Sequence, residues 1–159
     1  MAFNILLGWS KQHDADHDLE SLFYVFCWIC ISREGPGRVR TDFDFEDPRV
    51  SWWMGEPNEG PASSGAKKLE RFLPVESFER CILADFHTYF DDFRTCAMGL
   101  WKLLFTNSFH RKPNLHRDII NVFQEALSGI SDVTEGENDG KQLEKDGRET
   151  AKPIRSSSI

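Results

Sequence analysis

The sequence predicts a mostly α-helical domain built around one buried central helix and followed by a disordered tail. Three observations predict it. The polar start His17-Asp18-Leu19-Glu20-Ser21 runs into ten successive apolar residues, Leu22 to Ile31, with no charge on any face. Further along, Phe86, Phe90, Phe93, Ala97, Leu100, Trp101 and Leu104 recur at steps of three and four, which makes one helical stripe. From Ser131 onward, charged, Gly and Ser residues dominate and the few apolar residues show no period.

An all-round apolar helix has no wet side and belongs in the middle of a fold. Ten residues are too few to cross a bilayer, which needs about 20. The helix is expected to start near Asp16 or Asp18, where a carboxylate accepts free N–H groups of the first turn. It is expected to end by Glu34, because Gly35-Pro36-Gly37 cannot continue it. Residues 35–62 read as loop with a short extended piece at Arg38 to Phe45, pinned to the core by Trp52 and Trp53. Ser63 and Ser64 are placed to cap a short helix from Ala66 to Leu73, stopped by Pro74. After the Phe-rich helix, Pro113-Asn114 breaks the chain, and a third helix runs from about Leu115 to Leu127 with Gly129 as its stop. Two regions follow: residues 1–130 as one folded domain, and residues 131–159 as a polar tail unable to bury enough surface to offset its ordering entropy.

Composition narrows the function. The chain has 159 residues, 40% of them hydrophobic, a length sufficient for one core. A net charge of -7 without a basic stripe argues against nucleic acid and anionic membrane surfaces as partners. The apolar N-terminus, Met1 to Trp9, lacks a basic flank and is followed by His13, Asp14 and Asp16, unlike a signal peptide. Cys27, Cys30, Cys81 and Cys96 sit in hydrophobic contexts without a disulfide spacing, and an intracellular location in cytoplasm or nucleus is expected.

Each constellation that might carry chemistry has a plainer reading. Cys27-Trp28-Ile29-Cys30 has the spacing of a redox pair, but such a pair needs an exposed thiolate at a helix start, so two core-filling thiols read better. His13, Asp14, Asp16, His17 and Asp18 are dense, yet their spacing does not set two His on one helical face for a metal. A polar loop entering a helix explains them with fewer assumptions. His110-Arg111-Lys112 with His116-Arg117 forms a small basic patch that reads first as the solvated joint between two helices, and second as a seat for a phosphate or an acidic partner. Gly35-Pro36-Gly37 is no phosphate loop, and no Gly-x-Ser-x-Gly elbow occurs. No catalytic, cofactor-binding or metal-binding residue is assigned.

The stretch His17-Asp18-Leu19-Glu20-Ser21-Leu22-Phe23-Tyr24-Val25 closely resembles the signature of the fungal-type protein kinases, and Trp28-Ile29-Cys30 fits its continuation. Met1 to Gly8 resembles the segment that closes the family's activation loop. Trp53, Ala66-Lys67-Lys68 and Leu103-Leu104-Phe105 follow in the family's order, so the resemblance spans roughly residues 1 to 128. It implies a partial protein-kinase-like C-terminal lobe, with Leu22 to Ile31 in its central helix. It also implies that Asp18 is the helix-start Asp whose carboxylate holds backbone N–H groups of a catalytic loop. Asn4 departs from the family, which has a Glu there paired with an Arg; Asn4 cannot form that ion pair with Arg111 or Arg117.

Kinase chemistry needs a Gly-rich loop, a strand Lys, a catalytic Asp with a metal-binding Asn, and an Asp-Phe-Gly turn. In family order all of these precede Met1, and Asp42-Phe43 and Asp44-Phe45 are followed by Asp and Glu, not Gly. The chain is therefore expected to be a pseudokinase or lobe fragment, inactive alone, with ATP and magnesium relevant only if a missing N-terminal part exists. Two alternatives stand beside this: a truncated gene model of an active Ser/Thr protein kinase, or a non-catalytic protein-interaction module. An incomplete lobe is expected to expose apolar surface and to self-associate or take a protein partner.

Overall fold

The computed structural model describes residues 1–44, 58–106 and 113–130. The elements in chain order are α1 (Phe3–Leu6), α2 (Ala15–Ser32), a two-stranded hairpin of β1 (Arg33–Gly35) and β2 (Arg38–Val39), then α3 (Pro61–Phe72) and α4 (Val75–Cys81). Two 3-10 turns (Leu83–Asp85 and Thr88–Phe90) lead into α5 (Phe93–Phe105), and α6 spans Leu115–Gly129. The described chain is mostly helical. The tail 131–159, the Trp52 and Trp53 loop, Arg111 and the His110-Arg111-Lys112 part of the basic patch lie outside the described residues.

Helix α2 starts earlier than the sequence suggested. Asp14 is the cap: its Oδ1 accepts the N–H groups of Asp16 at 3.1 Å and His17 at 3.2 Å. His17 Nδ1 accepts the Asp14 N–H in return at 3.1 Å, closing a reciprocal box with His in the place usually held by Glu or Gln. Asp16 and Asp18 fall in the first turn, where their charge complements the helix dipole. At the other end, α2 stops at Ser32 and its last carbonyls are taken up one by one. The His87 N–H bonds Cys30 O at 2.9 Å, Arg40 Nη1 reaches Ile31 O at 3.4 Å, and the Arg40 N–H bonds Ser32 O at 3.0 Å. Arg40 also donates to Asp85 O at 2.9 Å, so one guanidinium ties the hairpin to the first 3-10 turn and to the end of α2.

The extended piece after Arg38 is present but shorter than expected: β2 pairs antiparallel with β1, with Arg33 opposite Val39. Gly37 (φ 69°) makes the reversal in the left-handed region. Two helix boundaries also differ from expectation. Helix α3 begins at Pro61, whose fixed φ and missing N–H suit a first helical position, so Ser63 and Ser64 lie inside it and do not cap it. The stripe from Phe86 is interrupted: Phe86 and Phe90 reach the interior from 3-10 turns, and α5 starts only at Phe93. Arg94 of α5 holds those turns by donating to Leu83 O and to Phe86 O. Pattern steps of three and four survive such a break because a 3-10 turn repeats every three residues. Helix α4 was not anticipated, and α6 runs two residues past Leu127.

The core is aromatic. Phe23 and Tyr24 of α2 meet Phe72 of α3, Phe78 of α4 and Phe105 of α5, with Tyr24 edge-on to Phe72 at 4.7 Å and Phe23 5.8 Å from Phe105. Phe26 continues the seam to Phe93 at 6.1 Å and to Phe123 of α6 at 5.6 Å. Offset and edge-on arrangements at these spacings suit the ring quadrupoles and contribute beyond area burial.

One expectation is overturned. Helix α2 does have a wet side, and that side is apolar: Leu22, Val25 and Ile29 are 50%, 53% and 43% exposed. Among the described residues, the other helices pack mainly against the opposite face.

Candidate functional site

Helix α2 has two chemically distinct faces. On the buried face, Glu20 is only 7% exposed and its Oε1 accepts two bonds, from the Phe3 N–H at 2.8 Å and the Tyr24 hydroxyl at 2.6 Å. The i, i+4 spacing brings Glu20 and Tyr24 onto one side of the helix, and the Phe3 bond fastens α1 to α2. Burial raises the Glu20 carboxyl above its usual range, against the pull of the Tyr24 and Phe3 bonds and of the charges on His17 and Lys68. Lys68 of α3 is also buried, donates to Met1 O at 3.1 Å and lies 4.5 Å above the Tyr24 ring. Burial pushes its ammonium below the usual lysine value, opposed by Glu20. Carboxylate, phenol and ammonium thus join α1, α2 and α3 through a closed polar network.

On the open face, Asp18 heads the exposed stripe. Its carboxylate is 74% exposed, with the His13 imidazole beside it, Nδ1 to Oδ1 3.5 Å. What the fold presents here is an exposed acid in the first turn of α2. Asn4 sits in α1, where its carbonyl accepts the Trp9 and Ser10 N–H groups while its side-chain Oδ1 is buried and unpaired among the described residues. Arg117 is exposed on α6.

The remaining sequence candidates resolve as follows. Cys27 and Cys30 are buried in the core of α2, and burial raises the Cys27 thiol far above its normal value and Cys30 to about 12. Cys96 of α5 is raised to about 11 for the same reason. Such thiols stay protonated and act as small hydrophobes. Of the five residues from His13 to Asp18, Asp14 and His17 close the cap and the His13 ring lies 5.5 Å from His17, yet no group of three His, Cys, Asp or Glu among the described residues is gathered to hold a metal ion. His116 and Arg117 are exposed on α6. A groove of about 730 Å3 between α5 and α6 mixes Asp91, Arg94, Lys102 and Glu125 with Met98 and Val122, without a converging set of one sign.

Sequence reasoning missed Glu20 and Lys68. A signal existed for Glu20: a carboxylate at the edge of an apolar run, four residues before a Tyr, needs a buried donor. Lys68 carried none, because the backbone carbonyl it bonds lies 67 residues away.

Residues 1–30, which span α1 and α2 as far as Cys30, match the family model described as fungal protein kinase. No curated protein and no solved structure matches the chain.

Proposed function

We propose that the chain is a non-catalytic scaffold of the kind that the C-terminal lobe of fungal protein kinases supplies, acting by protein docking. The observation that carries this reading is the split character of α2. Its one face is fixed by an aromatic core and the Glu20 network, while Leu22, Val25 and Ile29 present an apolar strip to solvent. A rigid helix with an uncovered apolar strip suits a docking surface. The match over residues 1–30 supports the kinase relationship of this helix.

On this reading the chain transfers no phosphate and takes neither ATP nor magnesium by itself. None of the four Asp-Phe pairs, which begin at Asp42, Asp44, Asp85 and Asp92, is followed by Gly, and no Gly-rich phosphate loop occurs in the sequence. The test is a phosphoryl-transfer assay of the full chain with ATP, magnesium and a generic protein substrate. Transfer at the level of a buffer blank is expected; turnover above it would overturn the reading.

The match over residues 1–30 favours one second reading, in which the same lobe serves an active Ser/Thr kinase whose ATP-binding and catalytic residues are encoded upstream. The genomic sequence before Met1 discriminates the two. An in-frame His-x-Asp loop and Asp-Phe-Gly turn would favour the kinase, and stop codons throughout would defeat it.

A further inference from the structure

The exposed strip of α2 has a charge at each end, and the two charges are opposite. At about 100° per residue, Asp18, Leu22, Val25 and Ile29 fall within an arc of about 60° on one side of the helix, and the Arg33 cap follows Ile29 at the next step of four. Leu22, Val25 and Ile29 are the exposed apolar centre. Asp18 precedes them by one turn, and Arg33, the C-cap of α2 and first residue of β1, follows Ile29 by four positions. Arg33 makes no hydrogen bond or ion pair with another described side chain. The His13 contact of Asp18, at 3.5 Å, is longer than a good charged hydrogen bond and leaves the carboxylate able to take a guanidinium.

The spacing has a symmetry. Leu22 and Ile29 are centred midway between residues 25 and 26, and Asp18 and Arg33 share that same centre. A two-fold axis perpendicular to α2 at this point lays Leu22 on the partner's Ile29, Val25 beside the partner's Val25, and Asp18 against the partner's Arg33. Each end pair then forms twice, as an isologous contact requires. A parallel arrangement would set acid against acid and base against base.

We infer that the α2 strip docks a second copy of this chain, as an antiparallel α2–α2 pair with two Asp18–Arg33 ion pairs flanking a Leu22, Val25 and Ile29 seam. This inference rests on the docking role proposed above and names its partner. The strip is also continuous with a second apolar surface. Leu22 lines a crevice with Leu19, Ile119 and Phe123, which carries the face towards α6 and its exposed Ile120. The seam takes three apolar side chains from each partner, far fewer than the roughly 20–30 residues a side of a standard interface, so the dimer is weak and reversible.

Sedimentation velocity of the full chain over a concentration series tests the pairing, with Asp18→Arg and Arg33→Asp made singly. Each single variant sets like charges opposite one another at both ends and is expected to weaken the dimer by about tenfold. An equimolar mixture of the two variants restores opposite charges at both ends and is expected to recover dimer as a one-to-one heterodimer. That recovery excludes misfolding as the cause of the single losses. Three results would overturn the pairing: a wild-type chain that stays monomeric, a dimer indifferent to both substitutions, or a mixture that fails to recover. A monomeric chain without phosphoryl transfer would remove this partner and leave the non-catalytic scaffold standing. A dimer that transfers phosphate would do the reverse.

Discussion

At Glu20 a carboxyl is held inside the protein by two donors, and its cost depends on pH. Burial raises its pKa above the ordinary 4.5, so the folded chain binds this proton more readily than the unfolded chain. The sign follows directly: the stability from this group is full below about 4.5 and is lost as pH rises through the folded pKa. The Tyr24 hydroxyl bond lowers that pKa by favouring the charged form. Tyr24→Phe should therefore destabilise by about 1 kcal/mol when Glu20 is protonated and by about 2 kcal/mol when it is ionised. Urea unfolding over a pH series from about 4 upward reads the difference as Glu20 gives up its proton. A penalty constant across the series would mean that Glu20 does not depend on Tyr24. Glu20→Ala orphans the Phe3 N–H and the Tyr24 hydroxyl together and should cost about 2–4 kcal/mol at neutral pH, measured in the same way.

Among the elements, α2 and α3 each have a position where one side chain decides the join. Asp14→Ala opens the capping box and should cost about 1 kcal/mol, with fraying confined to the first turn of α2 in amide exchange. Gly65 faces α1: a Cβ there would come within 2.9 Å of Leu6 Cβ and 3.0 Å of Leu7 Cγ. Alanine is the better helix former, yet Gly65→Ala should lower stability by about 1–3 kcal/mol, because α1 must move off α3. An unchanged or raised melting temperature would show that α1 is not fixed there. Much at this scale was legible in advance. The apolar run announced α2, Pro113-Asn114 announced the start of α6, and Gly35-Pro36-Gly37 announced the end of α2. The starts of α2, α3 and α5 were not, for local reasons. Asp14 outcompetes Asp16 and Asp18 as cap because only its oxygen reaches the N–H groups of the second and third helical residues, and Pro61 starts α3 without any capping side chain. The break between Phe86 and Phe93 was hidden because 3-10 turns imitate helical spacing.

For the molecule as a whole, the aromatic core explains why so short a set of helices holds together, and the uncovered side of α2 explains why it should not remain alone. The candidate site was legible only by half. The run from Leu22 to Ile31 revealed an apolar helix, but uniform hydrophobicity carries no mark of which face the other helices leave bare. Only the packing of Phe23, Cys27 and Cys30 inward fixes Leu22, Val25 and Ile29 outward. The central claim is that this outward strip docks a second copy of the folded chain. Sedimentation velocity on the full chain and its Val25→Glu variant, with helical content followed by circular dichroism, tests it most directly. The claim predicts a reversible, concentration-dependent association for the wild-type chain, and a monomer of unchanged helical content for the variant, since Val25 makes no part of the core. A wild-type chain that stays monomeric at every concentration and melts sharply would contradict it.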